Sequence, residues 1–134
     1  MATEYVAFDF ETTGVDPERN HIIEIGAVRF SSEGVFTREF NSLVRPIGKV
    51  SASEIHGIRE GDVLGAPSFS EILPTFVEFI DGAVLVAHNA TFDIGFLESE
   101  LSQLGIHDSE IEAICTMRLF GSKFPSGPRR LVDC

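Results

Sequence analysis

Between Tyr5 and Glu11 the side chains alternate without a break. Val6, Phe8 and Phe10 fall on one face, and Ala7, Asp9 and Glu11 on the other. A period of two is the signature of a strand. Thr12-Thr13-Gly14-Val15-Asp16-Pro17 then supplies turn chemistry. Ile22 to Phe30 and Val35 to Val44 read as two more strands, joined by Ser31-Ser32-Glu33-Gly34. Connections this short predict an antiparallel meander of three strands.

Two capping-box spacings follow, Ser51-x-x-Glu54 and Ser68-x-x-Glu71. The second leads into an amphipathic helix with Ile72, Phe76, Phe79 and Ile80 on one stripe, ending near Asp81-Gly82. Ala83 to Ala87 reads as a short strand buried on both faces. Asn89 is a candidate N-cap, and Leu97, Leu101 and Leu104 form the apolar stripe of a helix that stops at Gly105. Ile111 to Cys115 reads as a fifth strand. From Lys123 a loop leads to what reads as the first turn of a helix near Arg130. The order β-β-β-α-β-α-β predicts a mixed α/β sheet with helices on its faces.

At 134 residues, with no repeat or low-complexity tract, the chain is expected to form one domain over 1–134. A membrane span is excluded. The longest uninterrupted apolar run is Ala83 to Ala87, against the roughly 20 residues a spanning helix needs. The N-terminus lacks a basic region followed by an apolar stretch, so no secretory signal is read. Cys115 and Cys134 are expected to be unpaired thiols in a reducing cytoplasm.

Ten basic residues face 21 acidic ones, for a net charge of −11. A protein that coats nucleic acid through a broad basic face has the opposite balance. An enzyme that reaches a phosphate through bound metal ions is not excluded. From Met117 onward the balance turns, with Arg118, Lys123, Arg129 and Arg130 against Asp133 alone.

Asp9 and Glu11, two residues apart on a strand, project from the same face. Like charges at that separation repel unless a cation lies between them. Mg²⁺, which prefers carboxylate oxygens and water, is the natural occupant. A third acid, Asp93, lies in the first turn of the helix after the fourth strand. The helix dipole alone would favour a carboxylate there, but α/β folds also place ligand groups at such ends. Three convergent carboxylates and two divalent ions would suit phosphodiester cleavage.

Val6-Ala7-Phe8-Asp9-Phe10-Glu11-Thr12-Thr13-Gly14 resembles the first motif of the DEDD 3′→5′ exonucleases, in the branch of the DNA polymerase III epsilon subunit. His88-Asn89-Ala90-x-Phe92-Asp93 is similar to their second motif, and Ile22 to Val28 and Ile55-His56-Gly57-Ile58 to the segments between. The resemblance implies an RNase H-like fold with a mixed five-stranded sheet, three strands antiparallel and then two parallel. It implies Asp9, Glu11 and Asp93 as metal ligands for two Mg²⁺ or Mn²⁺ ions, Asp9 bridging both. Thr12, Thr13 and Gly14 would lie against the terminal nucleotide, and His56 and Phe92 would line the cleft. The implied substrate is the 3′ end of single-stranded DNA or RNA, and the implied partner a DNA polymerase subunit.

The family's general base belongs to a third motif, His-x4-Asp, on a later helix. No histidine follows His107 in this sequence. The chain is therefore expected to be incomplete at its C-terminal helical part and weak or inactive as it stands. Exposed apolar surface left by a missing helical cover would favour self-association. His88 is expected to have a structural role, and His21 and His107 to be solvated in turns. The alternative reading is a non-catalytic module that binds nucleic acid or a replication partner, which three crowded acids disfavour. A phosphatase with an Asp9 nucleophile would want Asp-x-Asp and a suitably placed lysine, and has neither.

Overall fold

Five strands, β1 (Glu4–Thr12), β2 (Ile22–Ser31), β3 (Phe36–Leu43), β4 (Val84–Ala87) and β5 (Ile114–Cys115), form one sheet in the order β3-β2-β1-β4-β5. The computed structural model describes residues 3–46, 60–107 and 111–130. β1 pairs antiparallel with β2, and β2 with β3; β4 runs parallel to both β1 and β5. This is the mixed sheet the element order predicts. The helices are α1 (Glu60–Val63), α2 (Phe69–Ile80), α3 (Ala90–Gln103) and α4 (Thr116–Lys123).

The period-two pattern of β1 decides where the core sits. Val6, Phe8 and Phe10 are buried against Ile25 and Ala27 of β2, Phe76 and Phe79 of α2, and Phe96 and Leu97 of α3. Each such side chain removed from water contributes about 1.5–3 kcal/mol. The aromatic rings interlock across elements: Phe10 lies 6.2 Å from Phe76, and Phe40 lies 5.7 Å from Phe76. The opposite face of β1 is left to Ala7, Asp9 and Glu11.

α2 starts as its sequence predicts. The Ser68 side chain accepts the Glu71 N–H, and the Glu71 carboxylate accepts the Ser68 N–H. Its far end is held by Arg29, whose Nη1 donates to the Phe79 and Asp81 carbonyls at 2.8 and 2.9 Å while Nε donates to Glu4 at 2.7 Å. Arg29→Ala should lower the denaturant midpoint by the equivalent of about 1–3 kcal/mol, because the guanidinium bonds carbonyls that would otherwise lose a charged donor. An unchanged midpoint would reduce this junction to a surface decoration.

Several local expectations are corrected. Asn89 precedes α3 in the left-handed region, at φ 57, and makes no side-chain cap; asparagine tolerates that conformation better than most residues. Leu104 is 42% exposed and stands outside the apolar stripe. It is the C-cap, and the chain turns away at Gly105 (φ 78) as Ile106 N–H bonds the Leu101 carbonyl and Gly105 N–H the Ser102 carbonyl. β4 is not buried throughout: Val84 is exposed, because its pairing with β5 begins only at Val86. β5 is two residues rather than five. α4 was not foreseen, since it buries none of its residues and so leaves no apolar period to read. The helix start at Ser51-x-x-Glu54 lies outside the described residues.

Candidate active site

Burial of Phe8 and Phe10 turns Asp9 and Glu11 to the other side of the sheet, Asp9 exposed and Glu11 half-buried. The ladder is regular up to Glu11 and then bulges between Glu11 and Thr12, a device that re-aims side chains at a sheet's end. On β2, Gly26 stands opposite Asp9 and Glu24 opposite Glu11. Directly opposed residues share a face, so Glu24 adds an acid beside Glu11. The sequence alone does not show Glu24 there, because the bulge shifts the register by one and a regular count from the Thr12–Ile22 pair sets Ile23 opposite Glu11.

Asp93 comes to these residues from α3. It is 2% exposed, and its Oδ1 accepts the N–H of Phe10, the residue between the two strand acids, at 3.3 Å. That bond crosses 83 positions of sequence and fixes the start of α3 against β1. Burial, with the negative charge of Asp9 next and a smaller push from Glu11, raises the Asp93 carboxyl to about 7; the Phe10 N–H and its own backbone N–H pull the other way. Asp9 is also raised, by desolvation, against the charge of His88. Asp93 therefore senses both strand acids.

Among the described residues no three His, Cys, Asp or Glu side chains form a ready-made metal-binding group. Like charges with no cation between them stay apart, and Asp93 gives one oxygen to Phe10. The donor chemistry nevertheless fits a hard divalent ion: carboxylate oxygens from two elements, one of them raised to about 7 by burial first and then by its neighbours' charge.

The turn after β1 is internally braced. The Thr12 hydroxyl donates to the Gly14 carbonyl at 2.6 Å; the Thr13 N–H donates to the His21 carbonyl and the His21 N–H to Thr13 Oγ1, both at 2.9 Å. These hydroxyls face into the turn, so any substrate contact of Thr12 and Thr13 would be through their main chain. A Cβ on Gly14 would lie 2.5 Å from Asn20 Oδ1, which itself accepts the Asp16 N–H. Close approach, not unusual backbone, favours glycine there, since a Cβ would force the Asn20 side chain aside and cost its bond to Asp16.

Phe92 is half-buried and packs on Phe96, ring centroids 5.0 Å apart. His56 lies outside the described residues. His88 has the structural role expected of it: Nδ1 meets Thr116 Oγ1 at 3.0 Å, and Nε2 meets the Arg129 carbonyl. His107 is exposed. His21 is a correction. It is not solvated, because its Nδ1 lies 3.2 Å from Glu100 Oε1, and the same oxygen accepts the Ile22 N–H at 3.2 Å. The turn ends at the root of β2, where α3 passes over it, and the ring is covered there.

The RNase_T (exonuclease) family model matches residues 6–133. DNA polymerase III PolC-type of Caldanaerobacter subterraneus is 44% identical over 105 residues, 77% of this chain and 7% of that protein. DNA polymerase III subunit epsilon of Treponema pallidum is 46% identical over 100 residues, 73% of this chain and 46% of that protein. The chain thus spans less than half the length of these relatives. The nuclease domain of 3'hExo, a DEDDh family member solved bound to rAMP, matches at a TM-score of 0.78 and 21% identity, over 96% of this chain and 73% of that one. At that identity the likeness is one of fold. With the sheet order and its antiparallel and parallel halves already in place, the chain has the RNase H-like fold and belongs to the exonuclease family.

Proposed function

We propose that the chain is a 3′→5′ exonuclease domain, acting on the end of single-stranded DNA by metal-dependent phosphodiester hydrolysis. The observation that carries the reading is the buried Asp93 carboxyl, which accepts the N–H of Phe10, the residue between Asp9 and Glu11, and is raised first by burial and then by their charge. Asp9, Glu11 and Asp93 are the residues that would hold two Mg²⁺ or Mn²⁺ ions. When bound, such ions activate a water and offset charge at the phosphate.

The residues themselves supply placement. The Phe10 N–H holds one oxygen of Asp93 at the residue that separates the strand acids. The braced turn would set the main chain of Thr12, Thr13 and Gly14 beside the terminal nucleotide, with Phe92 and His56 lining the cleft. An excess of acid suits an enzyme that takes one strand end through metal ions rather than gripping a duplex. The polymerase III relatives support DNA as substrate and a polymerase subunit as partner. No helix among the described residues is long and apolar enough to cross a membrane.

The test is cation binding. Mn²⁺ should raise the Tm of the 134-residue chain, and Asp9→Ala should abolish that rise. A rise that persists in the variant would remove Asp9 from the site.

A further inference from the structure

We infer that Glu100, acting through His21, is a positioning residue for the carboxylate site. The inference rests on the metal-binding reading just given and adds to it two residues beyond the three acids.

α3 carries Asp93 and Glu100 seven residues apart, two turns on one face and about 10 Å along the axis. Each grips the main chain at one side of the β1–β2 turn. Asp93 Oδ1 accepts the Phe10 N–H before it; Glu100 Oε1 accepts the Ile22 N–H after it and meets His21 Nδ1. Between them the Ser99 hydroxyl donates to the Pro17 carbonyl at 2.6 Å. One helix thus clamps the turn at three points. The Thr13–His21 pair of hydrogen bonds carries the clamp to the residue two beyond Glu11.

Burial makes Glu100 informative. It is 8% exposed, beside Leu97 and Leu101 on the core side of the helix. A carboxylate taken from water there is unfavourable unless hydrogen bonds compensate, and packing alone would be met by another leucine. Its Oε1 meets His21, where the turn ends, and Ile22, where β2 begins. Loss of the latch frees the turn, and with it the spacing of Glu11 from Asp93.

The experiment measures Mn²⁺ affinity of the full chain by electron paramagnetic resonance of the free ion. Glu100→Ala should weaken affinity about 10-fold, the low end for groups that support metal ligands from behind. Glu100→Gln, which keeps an oxygen for both His21 Nδ1 and the Ile22 N–H, should recover most of the loss. Arg29→Ala is the control: it loosens the junction with α2 away from the acids, so Tm should fall and affinity should not.

Unchanged affinity in Glu100→Ala overturns the inference, as does an equal loss in Arg29→Ala, which would mean that any destabilisation suffices. If Glu100→Ala does not fold, His21→Ala removes the ring from Glu100 Oε1 while leaving the Ile22 bond; weakened binding there supports the role of His21, and unchanged binding overturns the inference. Wild-type protein that binds no Mn²⁺ overturns the metal reading and the latch together. Binding that Asp9→Ala abolishes and Glu100→Ala leaves intact overturns the latch alone.

Discussion

Replacing Asp93 by asparagine should stabilise the metal-free protein at pH 8 and, in the same variant, remove its stabilisation by Mn²⁺. The wild-type carboxyl is raised from 3.8 to about 7, by burial first and then by Asp9 and Glu11. Between those two values the folded protein binds more protons than the unfolded chain. Stability therefore falls as pH rises through the window, and above about 7 the whole penalty applies. A tenfold difference in proton affinity between the two states is worth about 1.4 kcal/mol, so the penalty amounts to a few kcal/mol. Asparagine keeps the shape and an oxygen for the Phe10 N–H but carries no charge. The Tm of Asp93→Asn should exceed that of the wild type increasingly from pH 5 to pH 8. A bound cation reverses the sign, because it takes the ionised carboxylate. The rise in Tm that Mn²⁺ gives the wild type should thus grow over the same range, and be absent in the variant. Parallel Tm profiles for the two apo proteins would mean that Asp93 ionises without strain, and the case for a charged cluster would fail.

What could be read from the sequence follows the physics of each signal. β1 was legible because its alternation is driven by one buried face, and that same alternation put Asp9 and Glu11 together. α2 was legible because Ser68 and Glu71 cap it by local bonds that need no tertiary partner. Gly105 was legible for the same reason. β5 and α4 were not: one is two residues long, and the other turns no apolar face inward. Asn89 was misread because a residue that suits an N-cap also suits the left-handed region, and only the backbone tells which is used. The largest miss is His21. Its partner lies 79 positions away, and nothing within the turn signals that a helix carboxylate will cover it. Yet Glu100 stands seven residues after Asp93 in an otherwise apolar stretch of helix face, and that spacing was there to be counted.

Given Mn²⁺ and a 5′-labelled single-stranded oligonucleotide, the rate at which the 134-residue chain shortens it should not depend on a described histidine as general base, a role whose loss typically costs about 10²-fold or more. The described histidines are all accounted for. His21 is paired with Glu100. His107 is exposed beyond the C-terminal end of α3, roughly 20 Å of helix from Asp93's end. His88 stands nearest the acids, since its charge acts on Asp9, but both of its ring nitrogens have partners, Thr116 and the Arg129 carbonyl. To take a proton from water, the ring would have to leave one of them. His88→Asn should accordingly leave the residual rate unchanged and lower stability by about 1 kcal/mol, the worth of an ordinary hydrogen bond. A rate that instead falls 10²-fold or more in His88→Asn would install His88 as the base and reassign the Arg129 contact as a resting position. Fast hydrolysis that survives His88→Asn but not Asp9→Ala would move the search to His56, the one remaining of the chain's four histidines.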